Sequence, residues 1–449
     1  MKRIALLSVA LISLACAAAA ASRPRYGGTL RVTMQSAPAA LELPPLNAPT
    51  DYWDMARVLS LVGDNLVGID AEDHAQPALA LAWESDSTAR HWQFTLHHGI
   101  KFHDGSPASS SAIAQILGGL HEDWNVRASG DSLVIDTGTP FPSLLAELAL
   151  PRNLIVTRNA NGMPIGTGPF RVVDFAPGKS LKLAASEDCW AGRPFLDAIE
   201  IEFGKSLHDQ AMALEVGRAD VVEAASQAAS GQRVRTTSSL PVDLMALVVT
   251  PNSKAQDAHL LQALAPAIDR KPILSALLKG AGEPSAALLP NWMTGYSAAF
   301  PTQVNLQRAK ALLAESRQPA LTLSYDARDP QAQLIAERIA LNAREAGITV
   351  QVSLSGPDDL RLVRIAVPTP DAALALREMA RQLSLAPPVL HGNTVEDIYA
   401  AERALLDSRS VIPLFHLPVA SAAGTRVRGW APGQFGSWKL ADVWLEDAR

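Results

Sequence analysis

The sequence predicts an α/β fold divided between at least two lobes. The chain of 449 residues is about three times as long as a typical single domain, so one hydrophobic core is not expected to hold it. Residues 320–354 have the pattern of a strand, a helix and a second strand. A unit of that length is typical of a right-handed crossover between parallel strands. Such a crossover indicates an α/β architecture in at least one lobe.

Within residues 320–354, each boundary has a local signal. Leu321 to Tyr325 alternates between apolar and other side chains, which indicates a strand. Asp329 is the expected N-cap of the helix, with Pro330 in its first position, and Gly347 is the expected stop. Residues 348–354 alternate again as the second strand.

Other elements follow along the chain. Residues 27–34 and 91–102 alternate as strands, and serines after the second one are expected to cap a helix over residues 112–120. Ser206 and Thr394 have the spacing of capping boxes and predict two further helices. Residues 219–222 and 411–415 read as strands, and Pro413 in the latter predicts an edge or a bend.

Composition excludes several classes of protein. Apolar residues make up 48% and charged residues 19%, which is typical of a globular protein and not of a disordered one. The net charge of −6 disfavours a nucleic-acid-binding surface, and we expect no nucleic-acid partner. Two cysteines, Cys16 and Cys189, do not form a disulfide framework.

The N-terminus predicts export. Lys2 and Arg3 precede an apolar run over residues 4–15 and then a stretch of small residues, which is the pattern of a signal peptide over residues 1–21 with cleavage after Ala21. The protein is therefore expected to be periplasmic or extracellular. The competing interpretation is a lipoprotein signal in which Cys16 is acylated, although Ser13 stands where a bacterial lipobox usually has leucine.

No pattern in the sequence predicts catalysis or a cofactor. His97, His98 and His103 are close in sequence, but adjacent residues of a strand point to opposite faces, so we expect no metal site. A nucleophile elbow and a phosphate-binding loop are both missing from the sequence. We therefore expect no enzymatic activity and no cofactor.

Several separated blocks, in the same order, resemble the extracytoplasmic solute-binding proteins of ABC importers, family 5, which bind oligopeptides, dipeptides and nickel complexes. Any one block is weak evidence, but their number over almost the whole chain makes the resemblance specific. The blocks include Tyr26-Gly27-Gly28-Thr29-Leu30, Trp92-Gln93-Phe94-Thr95-Leu96, Gly99-Ile100-Lys101-Phe102-His103-Asp104-Gly105, Gly166-Thr167-Gly168-Pro169-Phe170-Arg171, Trp190-Ala191-Gly192-Arg193-Pro194-Phe195, Gly217-Arg218-Ala219-Asp220-Val221, Ile268-Asp269-Arg270 and Val411-Ile412-Pro413-Leu414-Phe415-His416.

The resemblance implies a two-lobed, periplasmic-binding-protein-like type II fold of the large cluster C type, with a hinge between the lobes. We expect lobe I over residues 22–240, with a trimmed subdomain at about residues 50–165, and lobe II over residues 241–420. Residues 421–449 are expected to return to lobe I. The implied function is the capture of a peptide or peptide-like solute by a monomer that delivers it to the permease subunits of an importer.

The expected ligand contacts come from two sources. The resemblance implies backbone contacts after the first strand and at a strand end in lobe II, and aromatic side chains offer large contact faces. The candidates are Gln35, Ser36, Ala37, Trp53, Thr250, Asn252, Trp292, Tyr296 and Tyr325.

The chain departs from the family in the interval between residues 355 and 393. This interval is short, lacks tryptophan and tyrosine, and has Asp358, Asp359, Asp371 and Glu378 as its acids, without a clear counterpart of the family's carboxylate clamp for a peptide amino terminus. We therefore expect modest affinity for peptides. The shortened second lobe also supports an alternative function, a non-transport receptor or interaction protein with a degenerate cleft.

Overall fold

The computed structural model describes residues 23–43, 49–70, 74–224, 234–251, 253–256, 258–314, 320–329, 331–354, 357–433 and 435–446. The predicted signal peptide with Cys16, the candidate ligand residue Asn252 and the predicted helix residue Pro330 lie outside these ranges. Within these ranges, every helix is too short or too polar to cross a membrane.

The described chain is a mixture of short strands and helices. The strands are β1 (Thr29–Thr33), β2 (Val67–Ile69), β3 (Ala75–Pro77), β4 (Ala80–Ser85), β5 (His91–Leu96), β6 (Trp124–Ser129), β7 (Ser132–Thr137), β8 (Val156–Arg158), β9 (Pro164–Gly166), β10 (Phe170–Ala176), β11 (Ser180–Ala185), β12 (Ala198–Glu202), β13 (Val221–Ala224), β14 (Val234–Val249), β15 (Glu283–Pro284), β16 (Leu321–Tyr325), β17 (Val350–Val352), β18 (Leu360–Ala366), β19 (Val411–Gly424), β20 (Val427–Arg428) and β21 (Trp444–Leu445). The α-helices are α1 (Pro49–Val62), α2 (Ser110–Leu120), α3 (Leu144–Leu148), α4 (Leu207–Glu215), α5 (Ala258–Ala267), α6 (Arg270–Pro272), α7 (Asn291–Thr294), α8 (Leu306–Leu313), α9 (Ala332–Ala346), α10 (Ala372–Gln382) and α11 (Val395–Asp407). Short 3₁₀ or π-helical turns lie at Pro151–Asn153, Lys254–Gln256, Ile273–Leu277 and Ser297–Ala299.

One sheet of 11 strands runs through the molecule, in the order β10-β11-β12-β1-β13-β19-β14-β18-β16-β17, with β15 paired to β19. The strands β14 and β19 pair with each other from Val234 and Gly424 to Val248 and Val411. At one end β19 also pairs with β13, and at the other end β14 also pairs with β18. We call the part built on β1 and β10 to β13 lobe I, and the part built on β15 to β18 lobe II.

The ladder between β14 and β19 is irregular where the two strands pass from one lobe to the other. Pro241 lies opposite Pro418, and the register shifts on both sides of Pro241. Proline has no N–H to donate, so the ladder loses hydrogen bonds here. The hydroxyl of Ser239 accepts a hydrogen bond from the backbone N–H of Val419 at 2.9 Å and partly replaces them. The hinge expected between the lobes stays a prediction, and this irregular crossing is where the two strands pass from one lobe to the other.

Separate hydrophobic cores stabilise the two lobes. In lobe II, α5 and α9 cover one face of the sheet and α10 and α11 cover the other. In lobe I, the core around β1 and β12 includes Trp430 and Trp438 from the C-terminal segment. A four-stranded sheet in the order β4-β5-β7-β6 packs with α2 in a third core. The predicted lobe boundaries at residues 240 and 420 fall inside or at the crossing strands and stay predictions.

The strand, helix and parallel strand predicted for residues 320–354 are confirmed, but Asp329 was wrong as the N-cap, since Gln331 is the N-cap and the helix begins at Ala332. Strand β16 pairs in parallel with β17, and α9 connects them. The Asp329 carboxylate accepts a hydrogen bond from the N–H of Gln331 at 2.9 Å, and Gly347 ends the helix with a φ of 98°. A positive φ is accessible to glycine without strain, so the predicted stop has its expected cause.

The strand with Pro413 is not at an edge of the sheet, and that part of the prediction was wrong. Strand β19 has partners on both sides, and the register shifts between Met245 and Ala246, opposite Pro413. An interior strand tolerates proline where the ladder is irregular, and the predicted bend at Pro413 stays a prediction. The predicted caps are confirmed: Ser206 and Thr394 accept backbone hydrogen bonds at their helix starts, and α2 begins at Ser110 after the cap Ser109.

The glycines before β10 are needed because two segments of backbone meet there. The N–H of Gly168 donates to the carbonyl oxygen of Val62 at 2.9 Å. A side chain added at Gly166 would place its Cβ 2.7 Å from the carbonyl carbon of Val62, which is too close for any real contact. The block that carries part of the family resemblance is thus explained by a close approach between α1 and the entry to β10.

The substitution Gly166→Ala should destabilise the protein by about 2 kcal/mol or more, because the backbone of α1 must move to admit a methyl group. The matched control is Gly119→Ala, since Gly119 lies in α2 with nothing within 4 Å of the added Cβ. That change should stabilise the protein by about 0.5 to 1 kcal/mol through helix propensity. Urea unfolding of both variants checks this pair, and equal effects would contradict the packing argument.

Candidate functional site

A cavity of about 180 Å³ lies between the lobes, beside the crossing of β14 and β19. Its walls come from both lobes and from the crossing strand. The lining residues are Gln35, Trp53, Arg57, Leu207, Glu223, Ala224, Asp243, Leu278, Ala281, Asp329, Gln331, Arg364, Leu417, Pro418, Val419 and Ala420.

Asp243 is the central group of the cavity and is buried. One carboxylate oxygen accepts from the indole N–H of Trp53 at 2.7 Å, and the other accepts from the guanidinium of Arg364 at 2.6 Å. Trp53 belongs to α1 in lobe I and Arg364 belongs to β18 in lobe II. Asp243 therefore connects the two lobes through charge-assisted hydrogen bonds, which are among the stronger ones in proteins. Within the described residues, the Nε of Arg364 has no hydrogen-bond partner.

The lobe I wall contains two carboxyl groups. Glu223 accepts from the backbone N–H of Gln35 at 2.5 Å and from the side-chain amide of Gln210 at 2.9 Å. Asp54 is fully buried behind this wall, 3.2 Å from the guanidinium of Arg57. Burial, and next the charge of Glu223, raise the pKa of Asp54 well above its ordinary value. The wall thus presents the carboxyl group of Glu223 and the guanidinium of Arg57, with the protonated form of Asp54 favoured behind it.

The lobes also touch outside the cavity. The guanidinium of Arg328, before α9, lies 2.6 Å from the carboxylate of Asp51 in α1. Arg152 of lobe I lies 2.8 Å from Glu378 in α10, and it also pairs with Glu147. These ion pairs join lobe I to lobe II at two separate places, so the lobes are in contact around the cavity.

Two of the candidate ligand residues, Gln35 and Trp53, line this cavity. Their neighbours do not: the N–H of Ser36 faces the buried Asp54 at 3.4 Å, and Ala37 approaches Gly204. The segment after β1 therefore reaches the cavity through one residue of the predicted three.

The remaining candidates are dispersed. Tyr325 lines an adjoining cavity of about 210 Å³, which shares Asp329 and Arg364 with the first one. Trp292 packs on Phe435 and donates to the carbonyl oxygen of Pro241 at 2.8 Å, at the crossing. Neither Tyr296, which hydrogen-bonds Glu402, nor Thr250, which donates to Asp358 at 2.7 Å, lines the cavity. Asn252 lies outside the described residues.

The acids between residues 355 and 393 all have structural partners. Asp358 accepts from the hydroxyls of Thr250 and Ser324, and Asp359 accepts from backbone N–H groups of two neighbouring segments. Asp371 caps α10. None of the four acids in this interval lines the cavity, and the expected lack of a carboxylate clamp stays a prediction.

Sequence reasoning missed the charged groups that do line the cavity. Asp243 stands in the run from Pro241 to Val249, which is otherwise apolar, and Arg364 stands in a largely apolar strand. A lone charge inside a strand of that kind must be paired when it is buried, so it is a usable signal for a site. Glu223 and Asp329 are strand-end or loop residues, and nothing in their sequence context distinguishes them.

The histidines have structural contacts. His97 packs against Trp190 with ring centroids 4.8 Å apart, and His98 is exposed near Asp131. His103 hydrogen-bonds the carbonyl oxygen of Gly168, and burial lowers its pKa. A search of the described residues finds no group of three or more potential metal ligands.

The sequence model for the middle part of the bacterial extracellular solute-binding proteins, family 5, matches residues 125–374, more than half of the chain. The chain belongs to this family. The resemblance found in the sequence is thereby confirmed, and the family accounts for the two lobes and for a cavity between them.

Two curated relatives carry nickel-binding names. The nickel-binding protein NikA of Staphylococcus aureus is 25% identical over 251 residues, 53% of this chain and 50% of that protein. The nickel-binding periplasmic protein of Escherichia coli is 24% identical over 365 residues, 70% of this chain and 69% of that protein. The match to the first of these relatives therefore spans only half of its length.

Solved structures share the fold over nearly the full chain. The periplasmic binding protein AgaA of A. tumefaciens R10, in complex with agropinic acid, has a TM-score of 0.79 at 20% identity and covers 94% of this chain and 99% of its own. The dipeptide-binding protein of Pseudoalteromonas sp. SM9913, in complex with Met-Leu, has a TM-score of 0.79 at 18% identity, covering 93% and 100%. These structures confirm the two-lobed α/β fold.

Tyr296, one of the candidate residues, belongs to a buried acid cluster in lobe II. Its hydroxyl donates to Glu402 at 2.5 Å, and the backbone N–H groups of Leu288 and Leu289 donate to the other carboxylate oxygen. Burial raises the pKa of Glu402 to about 7. The carboxyl group therefore fixes the loop before α7, and its protonated form is favoured in the folded protein.

The raised pKa of Glu402 makes stability depend on pH. Below the ordinary pKa range of a carboxyl group, Glu402 is protonated in both the folded and the unfolded chain, and its contribution to stability is present. As the pH rises to about 7, the unfolded chain releases its proton first, so the folded protein loses this stability. Glutamine does not titrate, so Glu402→Gln does not lose stability in this way. The difference in free energy of unfolding between the variant and the native protein should therefore rise, in favour of the variant, by about 3 kcal/mol from about pH 5 to pH 8. Thermal or urea unfolding over that range measures it, with Glu396→Gln on the exposed part of α11 as control. Parallel pH curves for Glu402→Gln and the native protein would contradict the assignment.

Proposed function

We propose that this protein is the extracytoplasmic solute-binding component of an ABC importer. In this proposal it captures a small peptide-like solute between its lobes and presents the closed form to a membrane permease. The observation that carries the proposal is the cavity whose walls come from both lobes and whose central carboxylate, Asp243, bonds to Trp53 of lobe I and Arg364 of lobe II. A group held by both lobes changes its surroundings when they separate, as hinge closure around a solute requires.

The crossing strands supply the movement in this proposal. The ladder between β14 and β19 is weakest at Pro241 and Pro418, so rotation there breaks few hydrogen bonds. A solute that contacts both walls stabilises the closed form and shifts the equilibrium from open to closed. Recognition of the closed form by the permease then makes delivery depend on the bound solute.

The charges around the cavity favour a zwitterionic solute. Carboxylates of Glu223, Asp243 and Asp329 and guanidinium groups of Arg57 and Arg364 line the same space. An amino group and a carboxylate on one small molecule complement this arrangement, with Trp53 as an apolar face. The volume of about 180 Å³ is below the usual ligand-pocket range of about 300 to 1,000 Å³, which favours a dipeptide over longer peptides.

We expect affinity to be modest. Asp243 already accepts hydrogen bonds from Trp53 and Arg364, so a solute amine must compete for it. The net gain is then smaller than the roughly 1.5 to 3 kcal/mol of an uncommitted charge-assisted hydrogen bond.

Two titrations separate the candidate solutes named by relatives and structural neighbours: calorimetry with dipeptides, each with an N-acetylated counterpart, and calorimetry with Ni(L-His)2, the ligand present in a NikA structure. Mass spectrometry of solute released from the purified protein identifies the natural ligand.

The substitution Asp243→Asn should weaken solute binding at least tenfold. The amide keeps an acceptor for Trp53 but loses the charge that holds Arg364. Calorimetry with the solute identified above measures the change, and Asp174→Asn on the exposed part of β10 is the control. Equal affinity in both variants would place the binding site elsewhere.

Removing the ion pair between Arg152 and Glu378 should destabilise the closed form without changing a residue that lines the cavity. Glu378→Gln removes the charge that faces Arg152 across the lobes, while the pair between Arg152 and Glu147 remains. Since hydrogen bonds to charged groups contribute about 1.5 to 3 kcal/mol, the ratio of closed to open solute-free molecules should fall about tenfold. Small-angle X-ray scattering detects the larger radius of gyration. Glu345→Gln on the outside of α9 is the control, and equal radii for the two variants would refute the role of this pair.

A second candidate function is a receptor or interaction protein that keeps the fold without tight solute binding. One observation favours it: the cavity is small, and its central acid is already bonded to both walls. In that case the purified protein releases no solute, and none of the titrated dipeptides or nickel complexes changes its radius of gyration. A retained solute, or closure on titration, favours transport.

A further inference from the structure

Lobe II contains another cavity, of about 470 Å³, at the end of β19 that points away from lobe I. The walls are the C-terminal half of α5, the loop before α8, the end of α11 and the first residues of β19. This volume is within the usual range for small-molecule pockets, unlike that of the interlobe cavity. The two cavities share no lining residue.

The lining of this lobe II pocket contains three arginines and no acid. Arg270, Arg308 and Arg409 line it, together with neutral polar residues and apolar ones. No ion pair joins any of the three to a carboxylate in the described part of the chain. The lining therefore has an excess of positive charge, to which the buried Arg270 and the exposed Arg308 both contribute.

Arg270 is the buried member of this set, with 3% of its surface exposed. Its guanidinium donates to backbone carbonyl oxygens, including those of Ser285 at 3.1 Å and Pro413 at 2.9 Å. Burial lowers its pKa to about 10, so the group still carries its charge at neutral pH. A buried cation without a counter-charge is costly, and a bound anion would offset that cost.

Arg409 has an unusual backbone. Its φ is 58°, the left-handed region that glycine and asparagine adopt with little strain and that other residues adopt rarely. The position follows the end of α11, where the N–H of Arg409 donates to the carbonyl oxygen of Leu406 at 3.0 Å. Ending the helix therefore does not require an arginine. Its side chain makes no hydrogen bond or ion pair within the described ranges, although it lines the pocket.

Beside the neutral polar residues Gln262, Gln303 and Asn305, most of the remaining lining is apolar. Leu261 and Ile412 form part of the floor, and Phe300, Val304 and Leu406 stand around it. A ligand must therefore combine an anionic group with an apolar body, because a fully hydrated inorganic anion would leave these side chains without a partner.

We propose that the lobe II pocket is a second binding site, for a small organic anion with an apolar body. The anionic group lies between Arg308 and Arg409, in the field of Arg270, and the apolar body lies against Phe300 and Ile412. This site is independent of the solute cleft between the lobes, and it does not depend on the function proposed for that cleft.

The test uses 3-phenylpropanoate as the probe and its neutral amide, 3-phenylpropanamide, as the matched control ligand. Calorimetry with the full-length protein should show saturable 1:1 binding of the acid, at least tenfold tighter than binding of the amide, and weaker at higher salt. No saturable binding of the acid, or equal affinity for the amide, would overturn the proposal.

Variants locate the site. Arg409→Asn removes the charge and places a residue that tolerates the left-handed conformation, so the fold should be at least as stable while the acid binds about tenfold to a hundredfold more weakly. Arg308→Gln should weaken binding in the same direction. Arg403→Gln, on the exposed part of α11 and outside the pocket lining, should change nothing. Equal affinity in Arg409→Asn and the native protein, with both folded by circular dichroism, would overturn the assignment. So would loss of probe binding in the interlobe variant Asp243→Asn.

Discussion

The pairing of β14 with β19 is the constraint on which the rest of the structure depends. Strand β19 pairs with β13 of lobe I and β15 of lobe II, and β14 pairs with β19 and with β18 of lobe II, so within the described residues the sheet passes from one lobe to the other through these two strands. They hold the two hydrophobic cores together, and their ladder is irregular where Pro241 faces Pro418 and again opposite Pro413. Rigidity within each lobe and weakness at one crossing therefore come from the same pair of strands. The interlobe cavity lies beside that crossing, where both lobes and the crossing strands contribute side chains.

The buried charges follow from this geometry. Asp243 lies two residues after Pro241, next to the crossing. Its carboxylate therefore contacts Trp53 of lobe I and Arg364 of lobe II. Taking a carboxylate out of water is costly, and the indole of Trp53 and the guanidinium of Arg364 offset the cost. The contact with Trp53 joins the two lobes, whereas Asp243 and Arg364 stand on the paired strands β14 and β18. The stability of the closed form and the polarity of the cavity are thus two consequences of one set of contacts. The arginines of the lobe II pocket differ, since the hydrogen-bond acceptors of the Arg270 side chain within the described residues are backbone carbonyl groups.

Local signals were enough to predict much of the fold from the sequence. The crossover over residues 320–354, the caps at Ser206 and Thr394 and the stop at Gly347 each depend on neighbouring residues, so propensity and capping chemistry specify them. The candidate site was harder, because its charged groups lie on strands that are distant in sequence and meet only through the sheet. Gln35 and Trp53 were found, whereas Asp243 and Arg364 were missed although each interrupts an apolar strand. Pro413 was misplaced since a local pattern does not reveal how many partners a strand has.

The most direct test of this account is the distance between the lobes in solution. Spin labels at Lys182 in lobe I and Glu345 in lobe II, introduced as cysteines after Cys189→Ser, allow that distance to be measured by pulsed electron resonance with and without the solute that the protein retains. The account predicts two populations in the solute-free protein and a shift to the shorter distance when solute is added. A single distance that solute does not change would contradict it.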